Sequence, residues 1–176
     1  MLQEMGTHKR RKLNKSRGAD FIMTITTVLP VWRAIQERFH KTVKALPEQD
    51  LSLKLEAYSI GYMLRHNAEV EYMFADWFFG RSMPEGLEIT TSRGAAGSKA
   101  TYHNLQELIE LLESSNDHLI KAMTELPEEK WHQTVECPIG ASTPLEAVGR
   151  LMYHTGIHAG QISLIQKIAP KVETAT

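Results

Sequence analysis

The chain has 176 residues, 42% of them hydrophobic, a formal net charge of −1 and one cysteine. That length suits one domain with a full core, and the hydrophobic share excludes a disordered chain. No apolar run approaches the ~20 residues that a membrane-spanning helix needs. The near-zero charge argues against nucleic acid as the main partner. The lone Cys137 cannot form an intramolecular disulfide, so the cytoplasm is the expected compartment.

Charge is unevenly spread. Residues 1–20 carry Lys9, Arg10, Arg11, Lys12, Lys15 and Arg17 against Glu4 and Asp20, a net +4 that leaves −5 for the remainder. Short charged termini are commonly solvated, so 1–20 reads as a basic arm, 21–170 as the folded domain and 171–176 as a tail. The stretch Phe21–Leu29 after the arm is not expected to be a secretion signal, because three threonines dilute it, Asp20 abuts it and no small-residue cleavage site follows.

Helical periodicity then dominates. Ile22, Ile25, Leu29, Trp32, Gln36, Phe39, Val43 and Leu46 step by three and four, the seam of a first helix. Pro30 predicts a kink or a start there, and Leu46-Pro47 a stop. A second helix is expected from Leu53 to Phe79, with Gly80 as its stop and a seam of Ser59, Met63, His66, Val70, Met73 and Trp77. Residues 80–101 read as a long surface loop, with Arg93–Ser98 its most flexible part. A third helix is expected over Tyr102–Leu126, closed by Pro127, and an irregular or hairpin segment over Trp131–Gly140. Ser142 or Thr143 caps a fourth helix, with Pro144 in its first turn and Glu146 completing a capping box; it ends near Ala169-Pro170. The fold class is all-α, a four-helix bundle with a long crossover loop.

The fourth helix carries the chemistry. Its seam reads Ala147, Leu151, His154, His158, Gln161, Ile165, Ile168, so three consecutive inward positions are polar. Burying a polar side chain unpaired costs roughly 1–3 kcal/mol, so these need partners. His154 and His158 are i and i+4 and stack on one face, where two imidazoles can grip one metal ion. His66 occupies the seam of the second helix at comparable depth. Three neutral imidazoles in a bundle core make a facial site with open positions; the alternative is a hydrogen-bonded polar core without metal. A zincin is excluded, because the residue after His154 is Thr155 rather than the Glu that serves as general base.

Other candidates are weaker. Glu69, one turn past His66, is a hydrogen-bond partner, a fourth ligand or a surface carboxylate. Gln161 orients a histidine or a water, or bridges to Gln36. Tyr62, Arg65 and Tyr153 lie near ligands in sequence, but adjacent residues on a helix point about 100° apart, so they are weak candidates. His103 reads as surface, the remaining histidines show no comparable phasing, and Cys137 reads as a small buried hydrophobe. Gly156 and Gly160 flank the histidine pair and suggest close helix packing or room for a ligand, since each costs up to ~1 kcal/mol against Ala.

The runs Ser59–Glu69 and His154–Ile162 resemble the two signature helices of the DinB-like (YfiT-like) superfamily, and the likeness covers about residues 22–169. The resemblance implies an up-down-down-up bundle, a metal site on His66, His154 and His158, and a homodimer. It further implies one divalent ion (zinc or nickel ahead of iron or manganese) and a low-molecular-weight thiol such as bacillithiol transferred to a small-molecule substrate. Hydrolysis by metal-bound water and a purely structural metal site are the rival expectations.

Overall fold

The structure, a computed structural model, describes residues 23–55, 58–91 and 100–169. The basic arm, the Arg93–Ser98 segment and the tail lie outside the described residues, as does the seam position Ile22. Four helices make the fold: α1 (Thr24–Lys44), α2 (Ile60–Phe79), α3 (Leu105–Glu125) and α4 (Pro144–Ile168). They form the up-down-down-up bundle of the DinB-like topology, with a long connection between α2 and α3. Packing is most extensive between α2 and α3, then between α2 and α4. None of the described helices is long and apolar enough to cross a membrane.

Local chemistry sets the boundaries. The second helix starts at Ile60, not Leu53. After Pro47 the chain makes a 3₁₀ turn over Glu48–Ser52, and β1 (Lys54–Leu55) then pairs antiparallel with β2 (Tyr58–Ser59). The Ser59 hydroxyl accepts from the Tyr62 amide, so the helix begins where a side chain satisfies its free N–H. Asn104 does the same for α3, accepting from Glu107, which moves that start from Tyr102 to Leu105. The first helix is continuous through Pro30, so it does not start there. Its own first turn is capped from across the bundle, where the Thr24 amide donates to Glu128 Oε2 at 2.9 Å. Thr143 and Glu146 form the expected capping box of α4, and Val135 bridges to Ser142 in the segment before it.

Two apolar clusters fill the interior. One gathers Trp32, Phe74, Phe78, Trp131 and Leu151, the other Phe39, Leu51, Ile60, Leu64, Leu112 and Ile162. Between them along α1, α2 and α3 lies a polar level made by Gln36, Glu71 and Ser115, each nearly or fully buried. The seam of α4 differs from the expected one at its far end: Gln161 and Ile168 are exposed, while Thr155 and Ile162 face inward. A 3.6-residue helix drifts from a strict alternation of fours and threes, so over six turns the buried stripe moves by a position.

The crossover is tied to α2 at both described ends. Tyr62 donates its hydroxyl to the Thr91 carbonyl at 2.8 Å. On the return, a Cβ on Gly61 would lie 2.2 Å from the Tyr102 carbonyl oxygen, so only glycine admits the chain there.

Candidate metal centre

His66 of α2 and His154 and His158 of α4 converge on one point. Ring centroids are 5.0 Å apart for His66–His154, 5.5 Å for His66–His158 and 4.5 Å for His154–His158. One ligand atom from each lies within 4.8 Å of the others. The Nε2 atoms of His154 and His158 are 3.2 Å apart. Two nitrogens that each bind one zinc ion at ~2.1 Å come within about 3–3.4 Å of each other, so this pair already has the spacing of two ligands.

The second nitrogens fix the rings. His158 Nδ1 lies 2.7 Å from Gln161 Oε1, which can only accept, so Nδ1 carries the proton and Nε2 keeps its lone pair. His66 Nδ1 lies 3.1 Å from Thr91 Oγ1, whose own hydrogen goes to Glu69 Oε2 at 2.5 Å. The His66 ring therefore donates from Nδ1 and also presents a free Nε2. Burial holds all three histidines below their ordinary pKa: His154 to about 3, with help from the two neighbouring rings, His158 to about 4, and His66 lowered against a raising influence of Glu69. Neutral imidazoles with lone pairs on one point are the donor set a borderline divalent cation takes, so the residues fit the expected ion.

Around this centre the weaker candidates separate. Glu69 is fully buried and accepts from the amides and hydroxyls of Thr90 and Thr91 and from Arg65 Nε at 2.6 Å. Burial pushes its carboxyl up, but those hydrogen bonds outweigh it and hold it below the usual range. It is thus not a surface carboxylate, but the hydrogen-bond partner of Thr91, which in turn meets His66. Arg65 also donates to the Glu88 carbonyl. Tyr62 stacks between Tyr58 and His66, with centroids at 4.9 and 6.2 Å. Tyr153 is 73% exposed, and His103 is exposed as expected. Gln36, once a potential partner of Gln161, donates instead to Glu71 at 2.8 Å.

A cavity of about 300 Å³ opens onto His66 and His158, walled by Tyr58, Tyr62, Met63, Thr91 and Gln161. Gly156 and Gly160 do not pack closely within the chain: an added Cβ would meet nothing within 4 Å at either. They line a separate groove of about 520 Å³ between α1 and α4, beside Ala34, Ile35 and Phe39. Thr90 and Thr91 were missed in the sequence. Nothing in a loop Thr-Thr pair signals that it will meet a helix residue some twenty positions earlier.

The family model of the DinB superfamily matches residues 31–162, and the chain belongs to that superfamily. A search of curated proteins found no match. Among solved structures, the fold is similar to a DinB-like protein from Bacillus cereus, 16% identical over 84% of this chain and 97% of that one, with a TM-score of 0.65. A conserved protein from Enterococcus faecalis is 13% identical, covering 83% of this chain and 96% of its own, with a TM-score of 0.61. The mycothiol-dependent maleylpyruvate isomerase is 18% identical over 78% of this chain and 60% of that one, with a TM-score of 0.56.

Proposed function

We propose that the protein is a metal-dependent enzyme in which His66, His154 and His158 hold one divalent ion, zinc or nickel ahead of iron or manganese. Its reaction transfers a low-molecular-weight thiol such as bacillithiol to a small electrophilic molecule. The observation that carries this reading is the meeting of three neutral imidazoles at the wall of a mostly apolar cavity. A bound divalent cation lowers the pKa of a ligated thiol, ~8.5 when free, and so supplies a thiolate at neutral pH.

The chain's own residues do the rest. Gln161 and Thr91 hold two rings in the tautomer that leaves Nε2 free. Tyr58, Tyr62 and Met63 exclude water and receive the apolar part of the electrophile. Thiol transfer is placed ahead of hydrolysis on the mostly apolar lining of the cavity: among the described residues that line it none carries a carboxylate to orient an attacking water, and Glu69 is already committed to its hydrogen bonds. The similarity to a mycothiol-dependent isomerase points the same way.

Elemental analysis of protein purified without an affinity tag should find about one ion per chain, and far less in His66→Ala. Metal-loaded protein should conjugate thiols to model electrophiles without hydrolysing esters or amides, and folded His158→Ala should do neither. Hydrolysis without conjugation would replace the transferase reading. A chelator that lowers the melting temperature of a protein with no turnover would leave a structural site instead.

We also propose a cytoplasmic homodimer. The outer face of α4 presents Tyr153, Ile157, Leu164 and Ile168, between 38% and 73% exposed, on one stripe with Gly160. Leu164→Arg should convert a dimer to monomer in light scattering.

A further inference from the structure

Thr91 stands at a junction. Its hydroxyl donates to Glu69 Oε2 at 2.5 Å and accepts from His66 Nδ1 at 3.1 Å, and its amide donates to Glu69 Oε2 at 2.8 Å. Its carbonyl accepts from Tyr62. Every polar atom of this 2%-exposed residue is thus spent on α2. Thr90 adds its amide and hydroxyl to the same carboxylate, and its Oγ1 lies 2.6 Å from the Tyr102 hydroxyl on the returning limb of the crossover.

We propose that Thr91 is a positioning residue for the metal centre: its hydroxyl links Glu69 to His66, so that docking of the crossover and occupation of the site by metal favour one another. The proposal rests on the metal-centre reading above. The direction of each hydrogen bond follows from chemistry. An ionised carboxylate only accepts, so the threonine proton goes to Glu69 and the histidine proton must sit on Nδ1. Nε2 is then the free donor atom in advance of the ion, and the ring cannot rotate without breaking the link. Partners of this kind, acting through a ligand, change metal affinity by typically 10–100-fold when removed. Coupling is reciprocal: if the docked crossover improves metal binding, bound metal must protect the docked crossover to the same extent. The amides of Thr90 and Thr91 report that protection directly, because both are bonded to Glu69.

The test uses the full chain, zinc alone as the probe, and the variants Thr91→Val and Thr91→Ser. Valine keeps the shape and loses the hydroxyl; serine keeps the hydroxyl. In metal-free wild type, nitrogen NMR of the histidines should show His66 with its proton on Nδ1. Zinc affinity from competition with a chelating dye should fall 10–100-fold in Thr91→Val and return in Thr91→Ser. Zinc should slow hydrogen exchange at residues 90 and 91 in wild type and in the serine variant but not in the valine variant. A valine variant of lower melting temperature with wild-type zinc affinity and an unchanged His66 tautomer would reduce Thr91 to a packing residue and overturn the proposal. Should the valine variant not fold, a wild-type His66 protonated on Nε2 overturns it equally. Wild type that binds no zinc would overturn the metal-centre reading, and the tautomer measured on that same protein would still decide the link.

Discussion

Glu69 and Glu71 lie two residues apart on α2, 0% and 2% exposed, and their carboxyls behave oppositely. Glu69 is held below the ordinary range; Glu71 is pushed up to about 8. Burial raises both. The difference lies in the partners each face of the helix supplies. Glu69 meets two loop amides, two hydroxyls and a guanidinium. Among the described residues Glu71 meets only Gln36 Nε2 at 2.8 Å and Ser115 Oγ at 2.7 Å. Ser115 Oγ is also 3.0 Å from the Leu112 carbonyl, which can only accept; a Ser115 that donates there takes its second hydrogen bond from a protonated Glu71. Glu69, held low by its donors, therefore serves the histidine centre, and Glu71, pushed up by burial, links α1, α2 and α3 across the core.

Glu69→Gln tests the first half and should have the largest effect. An amide NH₂ would face donors only, so urea denaturation should show a loss of about 2–4 kcal/mol. Glu71→Gln should behave differently, since an amide can accept from Gln36 and donate to Ser115. The folded pKa of Glu71 lies above its unfolded value, so its contribution is full below about pH 4.5 and is lost as pH rises through about 8. The variant should match wild type at pH 5 and exceed it at pH 9 by roughly 1–3 kcal/mol in the same assay. A variant equally destabilised at both pH values would show that Glu71 is charged in the fold.

The histidines sharpen the contrast from the acid side with a smaller effect, because they are partly open to solvent. Their folded pKa values lie below 6.5, so their contribution is complete above that pH and is lost as pH falls toward 4 and 3. Metal-free protein should lose on the order of 1 kcal/mol between pH 6.5 and 4.5. Zinc should offset the loss until protons displace it, and His154→Ala should flatten the metal-free profile.

Much of this architecture was legible in the sequence by itself. The spacing of Trp32, Phe39 and Val43, and of Leu108, Leu112 and Leu119, determined amphipathic helices. Thr143-Pro144 and Glu146 determined where α4 begins, because a capping box is local chemistry. His66, His154 and His158 were readable as one site because each sits on a helical seam. Tertiary structure alone decided the rest. Whether Glu69 faces water or the loop, that Thr91 stands behind His66, and that burial pushes Glu71 up all depend on which groups arrive from distant parts of the chain. Helical period tells which side of one helix turns inward. A carboxylate's charge is set by donors carried on other elements, which no local pattern records.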